Sequence, residues 1–371
     1  MYDITIIGAG VAGSTLAYFA KKHKQKVLII ERASTAATGG SGAAGAFISP
    51  KLGKSTPLLE LTNSAFKFAT SFYTTYFSSF FNQTGILRLP KDFKDAINFP
   101  QYQTHIGGEI LSIEKLKQLG IKSQYEGLFF KEGGVCDAQS LCNALIKGVD
   151  FLQLELKDIK FNQEITINSK IKTKTLILAT GYESHPLLSY MGIRGVWGSR
   201  GDFYCKKEIP ISLHKEISIS ANIDGVVKIG ATHKRVNTIS SACLSCDGAP
   251  LVPLIKEANN IIEADFKIKE TFCGMRASSR DYFPVVGKVI DSSYMLNHYP
   301  QIKKGFSKVK FKYIDNLYVF NGLGGRGFVL APLLAKQLIE HIINKKEIDK
   351  RVNPDRLFFK WARKLDKKEE R

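Results

Sequence analysis

Two sets of three glycines stand near opposite ends of a 371-residue chain. Gly8, Gly10 and Gly13 lie in IIGAGVAG, and Gly322, Gly324 and Gly327 lie in NGLGGRG; both are spaced G-x-G-x-x-G. In the first set, Gly8 allows a tight turn, Gly10 lets the backbone approach a pyrophosphate, and Gly13 lets a helix pack on the preceding strand. An acidic residue about 20 positions further on would accept a ribose hydroxyl. Glu31, followed by Arg32, stands there.

The elements needed to position these residues are legible. Tyr2 to Ile7 is a short apolar, β-branched run ending in glycine, as expected of a buried parallel strand. Val11 to His23 has helical spacing, with Val11, Leu16, Phe19 and Ala20 on one face. A second apolar strand, Val27 to Ile30, ends at Glu31. The pattern is βαβ, with the backbone of Val11 and Ala12 opening the helix toward the phosphates. A second small-residue stretch, Thr38 to Ala46, follows and contains Gly40, Ser41, Gly42 and Ala46. Small residues there admit a large flat ligand close to the backbone, which favours FAD over NAD.

Hydrophobic residues make up 44% of the chain, enough for a sizeable core in two domains. Six cysteines are scattered through apolar stretches, a pattern that suits reduced thiols better than a disulfide framework. Cys243 and Cys246 form a lone C-x-x-C with no second pair, so no metal site is expected. Strand-like residues begin at Asp3, leaving no room for a secretory leader, and no apolar run reaches the roughly 18 residues of a membrane span. The expectation is a soluble, cytoplasmic protein. Its formal charge is unusual: 53 Lys and Arg against 34 Asp and Glu, a net +19. Such a field attracts nucleic acid or an anionic surface, unless it reflects a lysine-rich composition alone.

The chain resembles the D-amino-acid oxidase superfamily of flavoenzymes, which includes glycine and sarcosine oxidases. The matching features are the N-terminal βαβ, the loop at 39–46, Gly133-Gly134-Val135-Cys136-Asp137, Leu176 to Gly181, Arg200-Gly201, Gly274-Met275-Arg276, Asp281 to Gly287 and the last glycine loop. Within that superfamily, Gly322 to Gly327 followed by Ala331-Pro332-Leu333, and Gly39 to Gly42 leading to Pro50-Lys51-Leu52, look like the oxidase half of the bacterial enzymes that modify the wobble uridine of tRNA. Ala43-Ala44 departs from the polar residues usual there.

The resemblance implies an α/β fold: a Rossmann-like FAD-binding domain and an α+β substrate domain with a mainly antiparallel sheet, of the D-amino-acid oxidase or glutathione-reductase-2 type. The FAD-binding domain is expected from 1–75, 132–192 and 274–371, and the substrate domain from 76–131 and 193–273. Ala179, Thr180 and Gly181 would return the chain beside the adenosine of FAD. The last loop follows the strand Leu317 to Phe320 and opens the helix Val329 to Ile343. Gly322, Gly324, Gly325, Arg326, Gly327 and Phe328 would set backbone N–H groups and the positive helix end against the flavin ring. The two glycine loops would then hold opposite ends of one cofactor; a glycine helix entrance for packing alone is the alternative.

Arg276 lies where glycine-oxidase-like relatives place a carboxylate-binding arginine, and Arg326 is a second catalytic candidate. Arg280-Asp281 reads as a structural pair, Tyr282 as packing or hydrogen bonding, and His233 as a surface histidine. Cys273 lies in the general region where some sarcosine oxidases attach FAD, but the local residues differ and non-covalent FAD is expected. The implied reaction removes the carboxymethyl group of 5-carboxymethylaminomethyl(-2-thio)uridine in tRNA. The methyltransferase commonly fused upstream would be a separate chain, because Met1 falls two residues before the first strand. The alternatives are an oxidase or dehydrogenase of free glycine, sarcosine or D-amino acids, and a non-catalytic flavoprotein that binds RNA or a membrane surface. Lysines 303, 304, 308, 310 and 312 and the basic stretch Arg356 to Arg371 would each meet either phosphates or solvent.

Overall fold

The computed structural model describes residues 1–183, 185–236, 246 and 251–369. The apolar run at the N-terminus forms the strand Tyr2–Ile7, the centre of an eight-stranded sheet. It pairs in parallel with Val27–Glu31 on one side and Ile171–Leu178 on the other. Asp150–Gln153 extends the first edge in parallel. On the other edge, Ile171–Leu178 has two partners: its first half takes Ile165–Ile167 in antiparallel fashion and its second half takes Tyr313–Asn321 in parallel. Both faces of these central strands are covered, which is why their sequences are continuously apolar rather than alternating.

The helices Val11–Lys22, Pro57–Tyr76 and Gly327–Asn344 pack together on one face. Thr56 caps the middle helix by accepting the N–H of Leu59 at 3.2 Å, and Pro57 begins it, where its missing N–H costs nothing. Phe66, Ala69, Phe72 and Tyr73 form its buried stripe. The other face is covered by Tyr190, Met191, Phe358 and Ala362, the last two from the C-terminal helix Asp355–Glu369. That stretch is therefore an amphipathic part of the core, not a free basic tail. Its Arg356 pairs with Asp281 at 2.8 Å, so Asp281's partner is Arg356 rather than the neighbouring Arg280.

A second, nine-stranded sheet is almost wholly antiparallel. Its spine is the long pair Arg194–Tyr204 and Lys267–Ser278, the latter running through the expected boundary at 273/274. The helix Leu251–Ile261 seals a separate core beneath it. Cys246 and Cys273 are joined as a disulfide with Cα atoms 5.6 Å apart, which corrects the expectation of free thiols throughout. A pairing between residues 27 apart in sequence leaves no spacing signature. Cys136, Cys142 and Cys205 are free and buried; Cys243 lies outside the described residues. Among the described residues no helix is long and apolar enough to cross a membrane.

Candidate active site

A chamber of about 1060 Å³ runs between the two sheets. One end lies over the first βαβ unit. Gly8 has φ +104°, and a Cβ there would stand 2.5 Å from the carbonyl oxygen of Ala179. Only glycine accepts both constraints. Glu31 is held beneath this end, with Oε2 accepting the N–H of Ala9 at 2.8 Å and Oε1 that of Ala33 at 3.2 Å. The Ser41 hydroxyl accepts the N–H of Val11 at 2.9 Å, which brings the second small-residue stretch over the start of the first helix. Gly40, Ala46, Ala12 and Gly181 line the same chamber. Arg32 lines it too, while its guanidinium pairs with Glu183 at 2.7 Å on the rim. Gly13 and Gly42 do not line the chamber; they pack closely on the carbonyls of Gly8 and Ala37.

The other end is the C-terminal glycine loop. Gly322 and Gly324 take φ of +73° and +59°, turning the chain from the strand Tyr313–Asn321 into the helix Gly327–Asn344. No side chain caps this helix and its first turn holds no acid, so its leading N–H groups face the chamber uncompensated. The Tyr73 hydroxyl donates to the Phe328 carbonyl at 2.8 Å and fixes that first turn.

Arg276 comes from the second sheet. A residue pair between Ser278 and Leu323 ties its strand to the glycine loop. Arg276 Nη1 donates to the Thr232 carbonyl at 3.1 Å, and it makes no ion pair among the described residues. Burial pulls its guanidinium below its ordinary value. An unpaired, half-buried arginine beside the chamber is suited to a bidentate carboxylate.

Arg326 is anchored differently, with Nη1 donating to the Ser49 carbonyl at 3.1 Å. Burial pulls it down to about 10, still fully charged at neutral pH. It faces Lys51, from the Pro50-Lys51-Leu52 stretch, and Arg88, a chamber-lining residue that the sequence motifs did not single out. The signal available in the sequence was an arginine inside the apolar strand Ile86–Arg88, followed by Leu89. His214 also lines the chamber, oriented by a 2.7 Å hydrogen bond between Nδ1 and the Ser218 hydroxyl. Burial, with Arg88, Arg326 and Lys91 nearby, holds its imidazole well below the ordinary value. His233 is exposed yet lines the chamber, as does Tyr282.

Residues 3–341 match the family described as FAD dependent oxidoreductase, or DAO, and the chain belongs to it. It is 23% identical over 366 residues to the tRNA 5-methylaminomethyl-2-thiouridine biosynthesis bifunctional protein MnmC of Legionella pneumophila, covering 92% of this chain and 54% of that protein. The namesake from Campylobacter concisus is 26% identical over 355 residues, covering 91% and 55%. The chain thus spans about half the length of these curated relatives. In fold it is similar to glycine oxidase from Bacillus cereus, with a TM-score of 0.74, 21% identity and 94% and 96% of the two chains covered. Iminodiacetate oxidase from Chelativorans sp. gives 0.72, with 16% identity and 95% and 98% covered.

The fold is the α/β arrangement of an FAD-binding domain with a sheet-bearing second domain, the cofactor is FAD, and the chain is an oxidoreductase. The residues present fit FAD. The Thr180 hydroxyl, on the chamber wall, is buried with no hydrogen-bond partner among the described residues, a polar atom that a bound group would satisfy. Glu31, Thr180 and Gly181 would hold the adenosine, Gly10, Val11, Ala12 and Ser41 the pyrophosphate, and Gly322 to Phe328 the flavin.

Proposed function

We infer that the chain oxidises the CH–NH bond of a carboxymethylamino group on tRNA, converting 5-carboxymethylaminomethyl(-2-thio)uridine at the wobble position to the aminomethyl nucleoside and glyoxylate. The observation that carries this is Arg276, a chamber-lining guanidinium with no ion pair among the described residues, whose Cδ and Nε stand beside Gly325 of the glycine loop while Nη1 and Nη2 lie near Gly198 and the Thr232 carbonyl. Its fork would grip the substrate carboxylate and set the adjacent Cα–H toward the flavin. FAD, when bound, would supply the two-electron acceptor for this oxidation, with dioxygen as the final oxidant. The uncapped N–H groups of the helix Gly327–Asn344 would stabilise negative charge developing at that end. The secondary amine must be unprotonated to give up hydride, and a chamber wall bearing Arg276, Arg326, Arg88 and Lys51 disfavours the ammonium form. Loss of two electrons and two protons leaves an imine, and water then divides it into amine and aldehyde.

The relatives named MnmC and the net charge of +19 support a tRNA substrate over a free amino acid. The same reading places the protein in the cytoplasm. The test is incubation of the FAD-loaded protein with tRNA carrying the carboxymethylaminomethyl group, followed by nucleoside mass analysis and glyoxylate determination. Free glycine and sarcosine are the controls. Oxidation of either with kcat/KM rivalling that on tRNA would replace this reading with a small-amine oxidase.

A further inference from the structure

Beside the main chamber lies a second cavity of about 320 Å³, within the usual size of ligand sites. Lys51, Arg88 and Arg326 line both spaces and form the wall between them. Arg88 and Arg326 are braced on one turn: Arg88 Nη1 donates to the Ser49 hydroxyl at 3.3 Å and to the Pro50 carbonyl at 3.5 Å, and Arg326 Nη1 donates to the Ser49 carbonyl. The Arg88 Nε is buried with no hydrogen-bond partner among the described residues. None of the three cations makes an ion pair among the described residues. Lys91 and Lys215 bring the cavity's cations to five, against the single carboxylate of Asp95, whose Oδ2 already accepts the Lys91 N–H at 3.2 Å.

Clustered cations are costly to hold in a half-buried wall without a counter-charge. Burial, with Arg326 nearby, pulls the Arg88 guanidinium down to about 9. Gly8, Gly10 and Ser41 do not line the second cavity, so it is separate from the pyrophosphate end of the cofactor site. Arg276 does not line it either, so the proposed carboxylate clamp stands apart. Five cations exceed what one carboxylate requires. Phe99 and Tyr102 supply aromatic walls beside the charges, a combination that suits a nucleotide better than a bare ion.

We propose that Lys51, Arg88 and Arg326 form a phosphate subsite, which holds the backbone phosphodiester flanking the nucleotide whose base enters the main chamber. This rests on the substrate being a polynucleotide, not on the particular reaction at the wobble position. The arginine fork would meet two phosphate oxygens, and Lys51 would supply a point charge on the side facing the chamber.

The experiment measures binding of uridine, uridine 3′,5′-bisphosphate and inorganic phosphate to the FAD-loaded protein at low salt, by calorimetry and by perturbation of the flavin spectrum. The bisphosphate is expected to bind about 10- to 100-fold more tightly than uridine. In Arg88→Gln and in Lys51→Gln that ratio should fall toward one, with FAD content retained. Lys215→Gln, which lines the second cavity but not the main chamber, should lower it by a smaller factor and serves if Arg88→Gln does not fold. The proposal is overturned if wild type binds both uridine compounds equally, if the ratio survives in every variant, or if uridine binding falls by the same factor as bisphosphate binding. Inorganic phosphate binding as tightly as the bisphosphate would also overturn it, because the site would then serve a free anion. A correct ratio without turnover of tRNA would sink the wobble reaction and leave the subsite standing; turnover with no phosphate increment would do the reverse.

Discussion

Arg276 and Gly325 meet across the two sheets: a Cβ on Gly325 would stand 3.8 Å from Cδ of Arg276. One residue belongs to the strand Lys267–Ser278, the other to the loop that opens the helix Gly327–Asn344. Replacing Arg276 with Ala should therefore remove a substrate contact without dismantling the flavin loop. Losing a bidentate charged contact costs about 2–4 kcal/mol, or roughly 30- to 1000-fold in kcat/KM. Steady-state kinetics on the modified tRNA should show this with FAD content unchanged. A variant within about threefold of wild type would mean that Arg276 is not the clamp.

The purified protein should be yellow and release intact FAD on denaturation. Gly8→Ala should lose most of its flavin, because the added methyl would meet the Ala179 carbonyl at a φ of +104°. Absorbance of the supernatant after precipitation measures both. Flavin remaining with the precipitated chain would contradict non-covalent attachment, and a fully loaded Gly8→Ala protein would contradict the cradle.

Tyr73→Phe removes the hydroxyl that donates to the Phe328 carbonyl inside the core. The loss should be about 1 kcal/mol of stability. Because the bond fixes the first turn of the helix facing the flavin, FAD affinity should fall as well. Thermal melts of apo and holo protein separate the two effects; unchanged FAD affinity would make this bond purely structural.

His214 gives an acid limb to the stability profile. Its folded value lies well below the ordinary 6.5, so the unfolded chain binds the proton more readily than the folded one. Stability from this group is therefore complete above about pH 6.5 and lost as pH falls below it, by up to about 1.4 kcal/mol per pH unit. Burial lowers His185 in the same direction, so it contributes to the same limb. His214→Asn should flatten the fall in Tm between about pH 6.5 and 5. An unchanged slope would show that His214 does not titrate on unfolding.

tRNA affinity should fall steeply with salt, with a log–log slope of about −0.7 to −0.9 per phosphate neutralised. Lys304, Lys308, Lys310 and Lys312 are exposed, and changing all four to Gln should flatten the slope if that run meets tRNA. Deleting the chain from Arg356 onward is not an equivalent experiment, because Phe358 and Ala362 belong to the core. Salt-insensitive binding would leave the net charge as composition alone.

The sequence by itself determined the first βαβ unit, both glycine loops, the acidic strand end and the type of cofactor. These are local matters. A turn at Gly8, an apolar run at Tyr2–Ile7 and helical spacing from Val11 each depend on residues within a few positions of one another. The shape of the site was decided only in three dimensions. Arg88 and His214 are neighbours because Ile86–Arg88 and Ser212–His214 pair in parallel, in a register that sets those two residues side by side. A slip of one residue between the two strands would put these side chains on opposite faces, and no local periodicity specifies that choice. Ser49 joins Arg326 to Arg88 across 277 and 39 residues of sequence. The C-terminal helix likewise reads as a run of charges until Tyr190 and Phe358 meet at 5.5 Å. Burial and cross-sheet proximity are properties of the packed chain, and they turned an isolated arginine in an apolar strand into part of a charged wall.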